Sequence, residues 1–172
     1  MATSWPPMAR RGGEVTVDAV QRFEQQLGHP LPNDYRAFLL EVNGGRTARS
    51  HRTFVIQRRA GRQHDETLLN SLFSLDDPDD SRDLATAQKH YNSDVKLPDG
   101  LLEIGYDGMG GRIILPLVGP HRGEVWYLDT EDARPTGSNP RVEWFDRRDV
   151  WKVAGSFTEF VGCLGPSEPP DR

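Results

Sequence analysis

The 172-residue chain holds one cysteine, so no disulfide can close within it, and a reducing compartment such as the cytoplasm suits it. Cys163 stands in Phe160-Val161-Gly162-Cys163-Leu164, a setting for a core thiol rather than a nucleophile. No apolar run approaches the ~20 residues that a membrane-spanning helix requires. Residues 1–14 carry two arginines without an apolar stretch, so no secretory signal is expected. The histidines at 29, 51, 64, 90 and 121 are scattered, with no pair at HExxH spacing and no CxxC, which predicts no metal site. No serine stands in a G-x-S-x-G elbow. The aspartate run from Asp76 lacks the glycine and glutamate of an EF-hand loop. Gly105–Arg112 is glycine-rich but lacks the Lys-Ser/Thr of a phosphate-binding loop, and a strand rather than a helix follows it. Its glycines are expected to serve positive φ or close backbone approach. No catalytic residue and no cofactor is predicted.

What is present describes a soluble, loop-rich globular protein. Hydrophobic residues make up 35% and charged residues 27%, with 17 glycines and 13 prolines, too apolar for a disordered chain. The length suits one domain able to bury roughly two-thirds of its unfolded surface. The net charge of −5 argues against nucleic acid as a partner. The charge is segregated. No acid lies between Glu41 and Asp65, where Arg46, Arg49, Arg52, Arg58, Arg59 and Arg62 fall, and then come Asp76, Asp77, Asp79, Asp80 and Asp83. Both runs read first as solvated loops; the acidic one could also steer a basic partner.

Residues 17–45 read as two short helices. Val17, Val20, Phe23 and Leu27 share one side of the first, between a Thr16 cap and a Gly28 stop. Pro32, Asn33 and Asp34 open the second, Tyr35, Phe38, Leu39 and Val42 face inward, and Asn43-Gly44-Gly45 ends it. Residues 46–52 read as a loop, 53–56 as a strand and 57–66 as a loop. At least one of the apolar groups 68–69 and 72–75 should pair in a sheet. A modest helix capped by Asp80 or Ser81 is expected over 82–92. Residues 101–104, 113–118 and 124–129 read as strands joined by short turns, hence antiparallel, with Pro116 at an edge or bulge. Val142–Phe145 is expected as the last strand and 149–153 as a helical turn. Ser156-Phe157-Thr158-Glu159 is a capping box opening a final helix with Phe157, Phe160, Val161 and Leu164 inside. The expected fold is α+β: one antiparallel meander with an N-terminal helical hairpin and a C-terminal helix packed on it. Residues 1–13 are expected as a flexible leader, 14–164 as a single domain and 165–172 as a loose tail.

Phe23-Glu24, Leu27-Gly28, Leu31-Pro32, Asp34-Tyr35, Phe38-Leu39 and Asn43-Gly44-Gly45 resemble the N-terminal signature of the SUKH superfamily. Ile104-Gly105, Asp107-Gly108 and Gly110 resemble its second signature. Val125–Asp129 resembles the following strand, and Ala154 with Ser156–Phe160 the closing helix. Many relatives carry an acidic residue just after the glycine turn, where this chain has Gly111-Arg112.

The resemblance implies a SUKH-type α+β domain without catalytic activity, in a superfamily of fungal Smi/Knr-type cell-wall assembly regulators and bacterial immunity proteins. The first expectation is an intracellular immunity protein that binds a toxin domain, such as a basic nuclease toxin. The alternative is a regulatory adaptor for a signalling or cell-wall-assembly partner; an enzyme on this scaffold comes third. The partner is expected to be a protein, neither nucleic acid nor membrane, and the chain a monomer or weak homodimer. Tyr106, Asp107 and Met109 on the glycine turn are the candidate partner contacts, with Asp76, Asp77, Asp79 and Asp80 at the rim.

Overall fold

A computed structural model describes residues 5–57, 64–90, 97–130, 143–147 and 149–166. Eight antiparallel strands form the sheet: β1 (Met8–Arg11), β2 (Gly45–Thr47), β3 (Thr53–Gln57), β4 (His64–Leu72), β5 (Leu101–Asp107), β6 (Arg112–Pro116), β7 (Val125–Leu128) and β8 (Val150–Ala154). From β4 to β8 each strand pairs antiparallel with the next; the β5–β6 and β6–β7 connections are too short for crossovers, while α3 lies between β4 and β5 and a longer connection joins β7 to β8. β2 and β3 both pair with β4, and β1 extends the sheet beyond β2. Pro116 ends β6 opposite Leu101, and β7 pairs only with the residues before it, so no ladder bond on that side is lost.

Helices α1 (Val17–Leu27), α2 (Asn33–Glu41) and α4 (Phe157–Gly162) bury their apolar faces in the main core. Thr16 Oγ1 accepts from the Ala19 N–H at 3.2 Å, and Gly28 takes φ 73° at the other end of α1. Ala19, Val20 and Phe23 are the buried side of this helix; Val17, in its first turn, is 48% exposed and falls outside the core. In α2, Tyr35, Phe38 and Leu39 are fully buried. Asp34 Oδ2 accepts from the Thr158 N–H at 2.9 Å, so a residue of α2 satisfies an orphan donor at the start of α4. In the capping box, Ser156 Oγ accepts from Glu159 N as expected, but Glu159 reaches back to the Gly155 N–H rather than to the serine's own. Phe157 lies 4.9 Å from both Tyr35 and Phe38, joining α4 to α2 through aromatic contacts.

Asn43, at φ 55°, turns the chain out of α2. Its Nδ2 donates to the carbonyls of Gly13 and Leu75, and its Oδ1 accepts from Leu75 N. A Cβ on the next residue, Gly44, would stand 2.2 Å from the Phe73 carbonyl oxygen, so only glycine fits there.

Several expectations are corrected. Over residues 5–13 the leader is structured: β1 pairs with β2, and the Trp5 ring lies 5.3 Å from Phe38. Residues 46–52 hold β2 and a 3₁₀ turn (Arg49–His51), and β4 begins at His64, within the stretch read as a loop. Helix α3 runs Leu84–His90 and its cap is Asp83, whose Oδ2 accepts from Thr86 N, rather than Asp80 or Ser81. The last strand is β8, where a helical turn was expected, while Trp144–Asp146 is a 3₁₀ turn. Trp144 and Phe145 are drawn from strand geometry by packing against a second apolar cluster of Ile114, Trp126, Leu128 and Val150 on the other side of the sheet. Cys163 is exposed, because it follows Phe160 and Val161 on the outer side of α4. At the tail, Gly165 pairs with Thr53; residues 167–172 lie outside the described residues.

Candidate partner-binding surface

The turn between β5 and β6 is built around one carboxylate. Asp107 is 1% exposed. Its Oδ1 accepts from the backbone N–H of Met109 and of Gly111, both at 2.8 Å. Its Oδ2 accepts from the Tyr127 hydroxyl at 2.6 Å and the Thr67 hydroxyl at 3.0 Å. Side chains from β4 and β7 thus hold the residue that shapes the turn from beneath. Gly110 takes φ 95°, and a Cβ on Gly111 would lie 2.0 Å from the Tyr127 hydroxyl oxygen, so the second of these glycines exists to admit that tyrosine. Asp107 is therefore the frame of the turn and not itself a contact, a correction that follows from its burial. Tyr106 is half-buried, its ring 5.6 Å from that of Phe73. Met109, at the tip, is 70% exposed.

The acidic stretch is largely spent on its own loop. Asp77 Oδ2 accepts from Arg10 at 3.3 Å, and its Oδ1 accepts from Asp79 N. Asp79 accepts from both the hydroxyl and the N–H of Ser81 and pairs with Arg82. The Ser81 bonds hold its carboxyl below the usual range against an opposing desolvation, with weaker help from Arg82 and Arg10. Asp76, at φ 57°, and Asp80 are exposed. The topology does not bring this loop to the glycine turn. Gly108 N donates to the Leu68 carbonyl beside the turn, whereas the acidic loop leaves β4 past Phe73, whose N–H donates to Ile104 further back along β5.

Arg112, which follows the turn, is absorbed by the fold. Its Nη1 lies 3.5 Å from Oε2 of Glu103 on the neighbouring strand, and the Glu103 side chain is 4% exposed. Burial pushes the Glu103 carboxyl up to about 7, with Arg112 opposing. Gln88 of α3 replaces a strand partner here, donating to the Glu103 carbonyl at 2.9 Å and accepting from its N–H at 3.2 Å. Nearby lies a cavity of about 160 Å³ lined by Leu27, His29, Gln88, Asp99, Leu101 and Glu103. That is below the ~300 Å³ at which small-molecule sites begin. Among the described residues no group of histidines, cysteines and carboxylates is placed to hold a metal ion, and no helix is long and apolar enough to cross a membrane.

Sequence reasoning missed Tyr127 and Thr67, the supports of the turn. Tyr127 lies on β7 within an apolar string, where alternation gives no sign of a polar task.

A meander covered by an N-terminal helical hairpin and a short C-terminal helix, with a buried aspartate framing a glycine turn, defines an α+β domain built to present loops. Residues 14–162 match the SMI1 / KNR4 family (SUKH-1), and the chain belongs to that family. Its members are in general non-enzymatic and act through protein–protein interaction. Compared with curated proteins, the chain matches none.

Proposed function

We propose that this chain is an intracellular immunity protein that binds a toxin domain and covers its active surface, with the β5–β6 turn as an anchor. The observation that supports this reading is Met109, 70% exposed on a turn whose backbone is held by the buried Asp107. A backbone already ordered before binding has little further freedom to lose, so only the side chain of the anchor has to be immobilised. Tyr106 supports the base of that anchor, and Asp76 and Asp80 lie exposed on a separate loop away from the turn. The family membership supports binding a protein partner; a regulatory role in the manner of the fungal relatives is the second reading.

The test is co-expression of the chain with the toxin domain encoded beside it. Restored growth and a complex that survives gel filtration are expected. Continued toxicity with two separately eluting proteins would end the immunity reading.

A further inference from the structure

The sheet face beside the glycine turn carries a second pattern. On β4, Glu66, Leu68 and Asn70 alternate outward while Leu69 and Ser71 are buried. Leu68 pairs with Thr53, and Glu66 pairs with Val55, so Val55 and Leu68 are diagonal neighbours on one face. They are 47% and 45% exposed. The turn that carries Met109 adjoins this strip, since Gly108 N donates to the Leu68 carbonyl. Its other flank is basic. Arg46 Nη2 donates to Asn70 Oδ1 at 3.3 Å, and Arg10 pairs with Arg46 across β1 and β2. The 3₁₀ turn Arg49–His51 interrupts the edge between β2 and β3 and adds Arg49 and Arg52.

We propose that the outer face of β2, β3 and β4, with Arg46, Arg49, Val55, Leu68 and Met109, docks a protein surface that presents carboxylates around apolar side chains. This rests on the protein-binding reading above and names the chemistry of the partner. Three clustered arginines repel one another: partial burial, followed by Arg46 and then Arg49, holds the Arg52 guanidinium below its ordinary pKa. Arg52 Nε is also buried with no hydrogen-bond partner among the described residues. An incoming carboxylate relieves that repulsion, and the adjoining apolar strip supplies the area that exposed ion pairs alone do not convert into affinity. A polyanion such as nucleic acid fits less well, because it tracks a continuous basic groove, and here apolar side chains and Glu66 interrupt the charge on a chain of net −5. The segregated charge therefore selects an acidic partner at this face, whereas the aspartate run pointed to a basic one.

The test uses the full chain and three fluorescent probes: a peptide of glutamates interspersed with leucine and phenylalanine, the same peptide with lysine for glutamate, and a single-stranded oligonucleotide. Anisotropy titrations are run at low and high salt, with thermal melts confirming that each variant folds. The acidic peptide is expected to bind about tenfold or more tightly than the lysine peptide, and to lose about tenfold with Arg46→Glu plus Arg49→Glu or with Leu68→Asn. Gln25→Lys, on the exposed side of α1, is expected to leave it within about twofold. No binding of the acidic peptide, affinity indifferent to the arginine variant, or preference for the oligonucleotide overturns the proposal. The immunity reading fails separately: an absent toxin complex leaves the peptide titration to decide this face. A toxin complex whose affinity ignores the arginine variant removes the face and spares the reading.

Discussion

Tyr127, on β7, donates its phenolic hydrogen to Oδ2 of Asp107, at the end of β5, across 2.6 Å. The strand between them, β6, pairs with both, so the bond passes over a neighbour to fasten the turn that joins β5 to β6. Family signature and physical role coincide here: the aspartate is read most easily from sequence as a contact, yet its work is done inside.

Asp107→Ala leaves two backbone N–H groups and two hydroxyls without their acceptor in a buried site, and should cost about 3 kcal/mol in urea unfolding. Asp107→Asn can keep its oxygen toward the N–H groups and offer its NH₂ to the hydroxyl oxygens, so a loss of about 1 kcal/mol is expected. Tyr127→Phe should cost about 1.5–3 kcal/mol, and a cycle with Asp107→Ala should be strongly non-additive. Additive losses would show that the bond carries no stability.

Glu103 gives the stability a pH dependence whose sign is set by burial. Its folded pKa of about 7 lies above the ordinary 4.5, so between those values the folded chain holds a proton that the unfolded chain has released. The benefit is complete below about pH 4.5 and is lost as pH rises through 7, by up to roughly 3 kcal/mol. Glu103→Gln keeps the shape of the side chain beside Arg112 while removing the ionisable carboxyl. It is expected to flatten the dependence between pH 5 and 8 and to raise Tm at pH 8. A variant whose Tm profile runs parallel to that of the wild type would contradict the assignment.

Trp5 ties the N-terminal segment to the core. Its ring packs against Phe38 and Phe157, and its Nε1 donates to Glu41 at 2.6 Å. Trp5→Ala should lower stability by about 2 kcal/mol, below the full cost of a completely buried tryptophan. An unchanged melting curve would restore the picture of a leader that takes no part in the fold.

Tyr35 presents the opposite case. It is fully buried, its hydroxyl has no hydrogen-bond partner among the described residues, and burial raises its pKa far above the ordinary value. Tyr35→Phe removes an unsatisfied polar group while keeping the ring contacts, so stability should hold or rise by up to about 1 kcal/mol. A loss greater than that, measured by calorimetry, would reveal a partner for the hydroxyl.

The elements that sequence makes legible are those where several signals agree. α1 has a cap, a glycine stop and apolar positions at helical spacing; α4 has its capping box and two phenylalanines. The β5–β7 part of the meander follows from short turns between apolar runs, whereas the longer connections before β5 and β8 give no such signal. β1 escaped because Met8-Ala9-Arg10-Arg11 has no alternation, and its place depends on edge pairing with β2 and on Trp5. Trp144 and Val150 exchanged roles because both segments carry strand-forming residues, and only the second apolar cluster decides between them. For the site, glycines and exposed Met109 could be seen in advance, while the burial of Asp107 and the separation of the acidic loop depend on strand register, which residue types do not encode.

The central claim, that a rigid turn carries an apolar anchor for a protein partner, is tested most directly by calorimetric titration of the wild type and of Met109→Asp against the neighbouring toxin domain. The account predicts an affinity loss of about 2 kcal/mol, roughly thirtyfold, with Tm unchanged because Met109 supports nothing beneath it. Equal dissociation constants for the two proteins would contradict it.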